Sequence, residues 1–174
     1  MTKLNLPRSL LTALCLTLLL AAVPALANTR GRVVSVHDGD TPTVLVDHRQ
    51  VRVRLTDIDA PELRQPFGTR SRQSLSDLCF GKEATLGVRG QDRYHRMLAR
   101  VTCAGTDANA EQVRRGYAWT FVRYARRDSP LLALESEARA AHRGLWQDSA
   151  PVAPWDWRRN VRESSRASIF RAGS

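Results

Sequence analysis

One arginine and three carboxylates fall within nine residues, Arg54-Leu55-Thr56-Asp57-Ile58-Asp59-Ala60-Pro61-Glu62, and a second acidic stretch, His37-Asp38-Gly39-Asp40-Thr41, lies shortly before them. Carboxylate oxygens from Asp40 and Asp59, completed by backbone carbonyls and waters, suit a hard cation. Calcium accepts such an irregular oxygen shell more readily than magnesium does. No histidine and cysteine set at ligand spacing competes with it, which disfavours a soft-metal site. Asp38 reads either as a reserve ligand or as the turn residue before Gly39. Glu62, three residues beyond Asp59, is placed to orient or deprotonate a water that the cation has made more acidic. Read alone, it is a solvated loop residue. Arg54 and Arg96 carry planar guanidinium groups that can clamp the non-bridging oxygens of a phosphodiester as charge gathers there. Either one could instead neutralise the carboxylates.

These groups need elements to hold them. Val51, Val53 and Leu55 alternate with Arg52, Arg54 and Thr56, the period of a half-buried strand with Arg54 on its polar side. Pro61 biases Ala60 toward an extended conformation, so Asp59 and Glu62 leave the strand with restricted geometry. Thr43 to Val46 predicts a partner strand and Asp47-His48-Arg49-Gln50 a polar turn, hence a β-hairpin. A turn centred between His48 and Arg49 sets Thr43 opposite Arg54, Asp40 opposite Asp57 and Asp38 opposite Asp59. Such an acidic base calls for a cation, nearby arginines or raised pKa values.

The remaining pattern predicts further strands at Gly31 to Val36, Ala84 to Val88 and Met97 to Thr102, giving at least five. Helices are expected over Gly68 to Phe80, over Asn109 to Arg115 with Gly116 as a stop, and from Ser129-Pro130 to His142. Tyr117 to Val122 is aromatic and β-prone. Residues 1–27 read as a secretory signal, with Lys3 and Arg8, an apolar run from Leu10 to Val23 and the small-residue site Ala25-Leu26-Ala27. The apolar run is shorter than the roughly 20 residues of a membrane helix, so the chain is expected to be periplasmic or secreted and free of stable membrane association. The domain is expected over residues 28–150, followed by an irregular or disordered basic tail over 151–174.

Of the three cysteines, Cys15 lies in the signal. Cys79 and Cys103 then form one disulfide in an oxidising compartment, with a pair of buried free thiols as the alternative. The formal net charge is +10. Removing Lys3 and Arg8 with the signal, which holds no acidic residue, still leaves a strongly basic chain. That favours a polyanionic partner, nucleic acid or an anionic membrane surface. Arg93, Tyr94 and Tyr124, in basic and aromatic surroundings, suit backbone contact and base stacking. Trp119 and Phe121 read as packing residues.

Together, Asp38-Gly39-Asp40-Thr41, Arg54-Leu55 with Asp59-Ala60-Pro61-Glu62, Asp92-Arg93-Tyr94-His95-Arg96, Asn109-Ala110-Glu111 with Val113-Arg114-Arg115-Gly116, and Gly144-Leu145-Trp146 resemble the staphylococcal-nuclease-like, or thermonuclease, domain. The resemblance runs from about Arg30 to Trp146. It implies an α+β, mainly β OB-fold, a five-stranded Greek-key barrel with about three packed helices. It also implies a calcium-dependent endonuclease that cleaves DNA and RNA, preferably single-stranded, to 3′-phosphate ends, and that acts as a monomer. By matching positions, Asp40, Asp59 and the Ala60 carbonyl would hold the ion. Glu62 would position or deprotonate the attacking water, Arg54 would grip the phosphate, and Arg96 would stabilise the transition state and the departing oxygen. The chain departs from the pattern at Ala60, where the type member has threonine, and at His95, where glycine is usual. Pro42 removes an amide donor at a strand start, and no clear match to one base-stacking tyrosine stands near Phe121 and Val122. The alternative is a non-catalytic OB-fold module that binds nucleic acid; a membrane-bound basic protein would need an amphipathic basic helix that the pattern does not show.

Overall fold

Two consecutive residues with left-handed backbone, Asp47 (φ 45°) and His48 (φ 63°), make the tight turn around which the acidic hairpin is built. They join strand β2 (Thr41–Val46) to strand β3 (Arg49–Leu55), pairing Val46 with Arg49, Val44 with Val51 and Thr43 with Arg52. The register therefore lies two residues from the expected one. A two-residue turn matches the right-handed twist of the strands it joins, and Asp and His supply positive φ where Asn-Gly is the usual signal. Asp40 faces Leu55 rather than Asp57, and the Leu55 amide donates to the Asp40 carbonyl at 2.9 Å.

In this computed structural model, which describes residues 29–121 and 129–172, the hairpin is part of a closed barrel. The expected signal at 1–27 and Tyr124 lie outside the described residues. Strand β1 (Thr29–Asp38) pairs antiparallel with β2, and strand β5 (Glu83–Gln91) with both β1 and strand β6 (Met97–Cys103). Parallel pairing of β3 with β6, Val53 beside Met97 and Leu55 beside Ala99, closes the circle of five strands. The fold is thus the α+β, mainly β OB type. Pro42 sits beside a bulge in β1, between Val36 and Asp38, so its missing amide falls where the ladder is already irregular. Alternation works as the pattern dictates: Val53 and Leu55 are buried while Arg52 is exposed and Arg54 is partly shielded.

Among the described residues, four α-helices pack on or beside the barrel. Helix α1 (Gly68–Cys79) buries Leu75, Leu78 and Cys79 against the barrel core of Val33, Val44, Val53, Leu86 and Val101. Each such aliphatic burial contributes about 1.5–3 kcal/mol. The Cys79–Cys103 disulfide (S–S 2.04 Å) ties the end of α1 to the end of β6. Helix α2 (Ala108–Arg114) follows a two-residue strand, β7 (Thr106–Asp107), whose Asp107 caps it by accepting from the Ala110 amide at 3.1 Å. Helix α3 (Pro130–Ala140) carries the Ser129 cap and the first-turn proline that the sequence announces. Of the stretch expected to be β-prone, Trp119–Thr120 forms a strand, β8, which pairs with β4 (Ile58–Asp59), and Val122 lies outside the described residues.

The tail expected to be irregular is helical over Pro154–Ala172, here α4. Pro154 starts it, Asp156 sits in its first turn, and Trp155 packs on Trp119 and Phe121 at ring-centroid distances of 5.8 and 5.4 Å. These first turns are docked, while residues 159–166 are exposed. Among the described residues, no helix is long and apolar enough to cross a membrane.

Candidate active site

Asp40 is placed by a turn that requires a glycine. A Cβ on Gly39 would stand 1.8 Å from the Ser71 hydroxyl oxygen and 2.7 Å from the Ala60 Cβ, so α1 and the post-β4 chain can close on the loop only at this position. Buried Gln112 of α2 donates from Nε2 to the Gly39 carbonyl (2.7 Å) and the Ser71 carbonyl (3.1 Å). Asp38 accepts the Asp40 amide at 3.0 Å, the turn role, and its carboxylate also lies close enough to Asp40 to disfavour a second negative charge there. The Asp40 carboxylate then accepts the Thr41 hydroxyl (3.0 Å) and the Ala60 amide (2.7 Å).

After β3 the chain reverses at Thr56-Asp57, with Asp57 at φ 64°, and Asn109 donates to the Thr56 carbonyl at 2.8 Å while accepting the Val101 amide. The reversal carries Asp59 back alongside Arg54. Arg54 donates from Nη1 to the carbonyls of Leu55 (2.6 Å) and Ile58 (2.9 Å), and from Nη2 to Asp59 Oδ1 (2.8 Å). The same Nη2 lies 3.2 Å from Asp40 Oδ2. Asp40 and Asp59 thus converge on one nitrogen. Asp57, expected among these acids, instead pairs with Arg89 at 2.9 Å.

Burial sets the electrostatics of the corner. Asp40 is pushed up to about 6, chiefly by burial, against the pull of Arg54 and the Ala60 amide and with the help of Asp38. Asp59 is raised for the same leading reason, with Arg158 and Arg54 opposing it. Glu62 stands at the rim, its side chain 41% exposed, and its loop is pinned by Gln65, whose Oε1 accepts the Glu62 amide at 3.2 Å.

A residue that no sequence pattern singled out completes the corner. Arg158 of α4 places Nη2 2.7 Å from Asp59 Oδ2, and Nη1 3.3 Å from Asp59 Oδ1 and 2.7 Å from Glu62 Oε1. The Pro154-Trp155-Asp156 helix start was the available signal, masked by the polar, Arg- and Ser-rich sequence after it. Gln112, also unforeseen, is announced by nothing beyond its place in a helix.

Arg96 occupies a separate loop. Its Nε donates to Asp92 Oδ2 at 2.7 Å, and Asp92 Oδ1 takes the amides of Tyr94 and Arg96. Those bonds hold Asp92 below the usual carboxylate range although burial works the other way. Tyr94 is 63% exposed, with the guanidinium carbons of Arg93 and Arg96 at 4.8 and 5.6 Å from its ring centroid. The parallel pairing of β3 with β6 sets Arg54 beside Leu98, two residues along the strand from Arg96. His95, in the usual glycine position, holds φ 60°.

Among the described residues, no group of three His, Cys, Asp or Glu side chains is arranged to hold a metal. The donor set nevertheless fits a hard cation. Its oxygens are carboxylates, two of them nearly buried, and they already converge on cationic nitrogens.

The staphylococcal nuclease homologue family model matches residues 52–148. The chain is 44% identical over 157 residues to Protein ParB of Escherichia coli, covering 84% of this chain and 89% of that protein. It is 44% identical over 151 residues to the micrococcal nuclease of Shigella flexneri, covering 81% and 87%. An uncharacterized endonuclease of Haemophilus influenzae is 40% identical over 151 residues, covering 86% and 84%. With the barrel and the acidic corner in place, these matches settle the class: the chain belongs to the staphylococcal nuclease homologue family.

Proposed function

We propose that this chain is a calcium-dependent, sugar-non-specific endonuclease that hydrolyses DNA and RNA to 3′-phosphate ends. That it is a nuclease, a hydrolase acting on nucleic acid, follows from its family and its named relatives. The finer reading is carried by one observation: Asp40, Asp59 and Arg54 converge within 3.2 Å contacts, with Glu62 at the open rim beside them.

Asp40, Asp59 and the Ala60 carbonyl would hold calcium, which when bound acidifies water and neutralises charge on the phosphoryl group. Glu62 is exposed enough to reach a water in front of a bound phosphodiester, and it orients that water or takes its proton. The water oxygen bonds to phosphorus, the bond to the 5′ oxygen breaks, and the departing oxygen collects a proton from solvent. Arg54, braced by two carbonyls, presents a fixed guanidinium to the non-bridging oxygens. Arg96, aimed by Asp92, stabilises charge on the other side and on the departing oxygen. Arg93 and Tyr94 supply backbone contact and a stacking face, a role Tyr124 shares. Unpaired bases reach such a face more readily than stacked ones, which supports a preference for single strands. The protein acts in the periplasm or outside the cell after loss of residues 1–27, as a monomer without stable membrane association.

The test is cleavage of denatured DNA by the mature chain, Asn28 to Ser174, with calcium and with excess chelator. Calcium-dependent cleavage leaving 3′-phosphates is expected. Salt-sensitive binding without cleavage, unaffected by chelation, would leave only a nucleic-acid-binding module.

A further inference from the structure

Arg158 reaches the acidic corner from α4 and bridges its buried and its exposed carboxylate. Its guanidinium spans both oxygens of Asp59, at 3.3 and 2.7 Å, and one of Glu62, at 2.7 Å. Three carboxylates, Asp40, Asp59 and Glu62, face two guanidinium groups, those of Arg54 and Arg158. Arg54 is fixed by two carbonyls on its own hairpin, whereas Arg158 reaches the corner from a separate element. The contacts described for that element gather at its start. Its anchors are the buried Ala153 and Pro154, the Trp155 contacts and the Gln65 bond to the Val152 carbonyl at 2.5 Å, and nothing beyond residue 158 is buried through residue 166.

We propose that Arg158 is an internal counter-ion for the cation-free site, and that calcium and Arg158 occupy the corner in turn. This rests on the reading of Asp40 and Asp59 as calcium ligands. A cation within ligand distance of Asp59, about 2.3–2.6 Å, needs the oxygen lone pairs and the space that the guanidinium holds. The divalent ion restores the charge balance that the departing arginine removes. Without Arg158 or a cation, Asp59, 2% exposed, would be left, among the described residues, with Arg54 as its cationic partner while sharing it with Asp40. The arginine therefore keeps the empty site folded. It also scales apparent calcium affinity down to the fraction of molecules in which it is detached, so α4 sets the calcium concentration at which the site fills.

Calcium alone is titrated calorimetrically into the mature wild-type chain and into Arg158→Ala, with Arg159→Ala as the charge control. Arg159 sits one residue along α4, is exposed and pairs with Asp156. Arg158→Ala is expected to bind calcium about tenfold more tightly, the least that release of a bidentate, charge-assisted pair implies, and Arg159→Ala to match wild type. Equal affinity in Arg158→Ala and wild type overturns the counter-ion role while leaving the calcium site in place. Equal tightening in both variants reduces the effect to bulk charge and also overturns it. No calcium binding by any form removes the site itself, and this inference with it. Hydrogen exchange on the wild-type chain gives a readout without a substitution: saturating calcium is expected to speed amide exchange in residues 154–162, and unchanged exchange there contradicts displacement.

Discussion

His95 holds φ 60°, a conformation that costs a β-carbon-bearing residue about 1–2 kcal/mol. Asp92 sustains it, accepting two amides and the Arg96 side chain from the loop around it. His95→Gly is therefore expected to raise stability by about 1 kcal/mol in urea unfolding, the gain being trimmed by the greater freedom of glycine in the unfolded chain. A loss of stability would mean that the histidine side chain contributes more than its backbone costs. At the acidic corner, Gly39→Ala has no room: a Cβ would meet Ser71 at 1.8 Å and Ala60 at 2.7 Å. The variant is expected to lose more than about 2 kcal/mol and to bind calcium weakly, because the Asp40 loop must move to admit the methyl group.

At the scale of elements, the strands were legible because one buried face imposes a period of two. Val53 and Leu55 inward with Arg54 shielded is what their alternation predicts, and Ser129-Pro130 announced α3 by its cap. The hairpin register was not legible, since Asp47-His48 makes a two-residue turn without the glycine that usually marks one. Helix α4 was hidden for a different reason. Residues 159–166 are exposed, so no apolar stripe advertises it there, and its described contacts with the body gather at its start, around Trp155 and Arg158. The acidic corner was legible as composition and as a family pattern, but its second guanidinium comes from beyond any local motif. Between elements, the Cys79–Cys103 link closes a loop of 24 residues in sequence separation. Replacing both cysteines by alanine is expected to cost about 3 kcal/mol, read as a lower urea midpoint, and to leave the barrel fold intact by circular dichroism.

For the whole molecule, the buried acids couple stability to pH. Asp40 titrates near 6 in the folded chain against an ordinary value of 3.8. A folded value above the unfolded one means the ionised form is penalised on folding. The penalty is fully present above about pH 6, shrinks as pH falls toward 3.8, and vanishes below it. Asp59 shifts in the same direction. In excess chelator, the unfolding free energy is therefore expected to rise between pH 7 and pH 5, with an Asp40 contribution on the order of 1 kcal/mol over that range. Asp40→Asn is expected to flatten that rise. An unchanged slope in the variant would place the dependence elsewhere.

The most direct test of the catalytic account is single-turnover cleavage of denatured DNA by wild type and Glu62→Gln, each at its own saturating calcium, with calcium affinity measured on both. Glu62 sits at the rim of a corner whose other carboxylates are nearly buried, so its removal is expected to slow cleavage by about a hundredfold or more while calcium and DNA affinity stay close to wild type. Equal cleavage rates in the two proteins would contradict the account, because among the described residues no other exposed carboxylate contacts the Arg158–Asp59 pair to handle the attacking water.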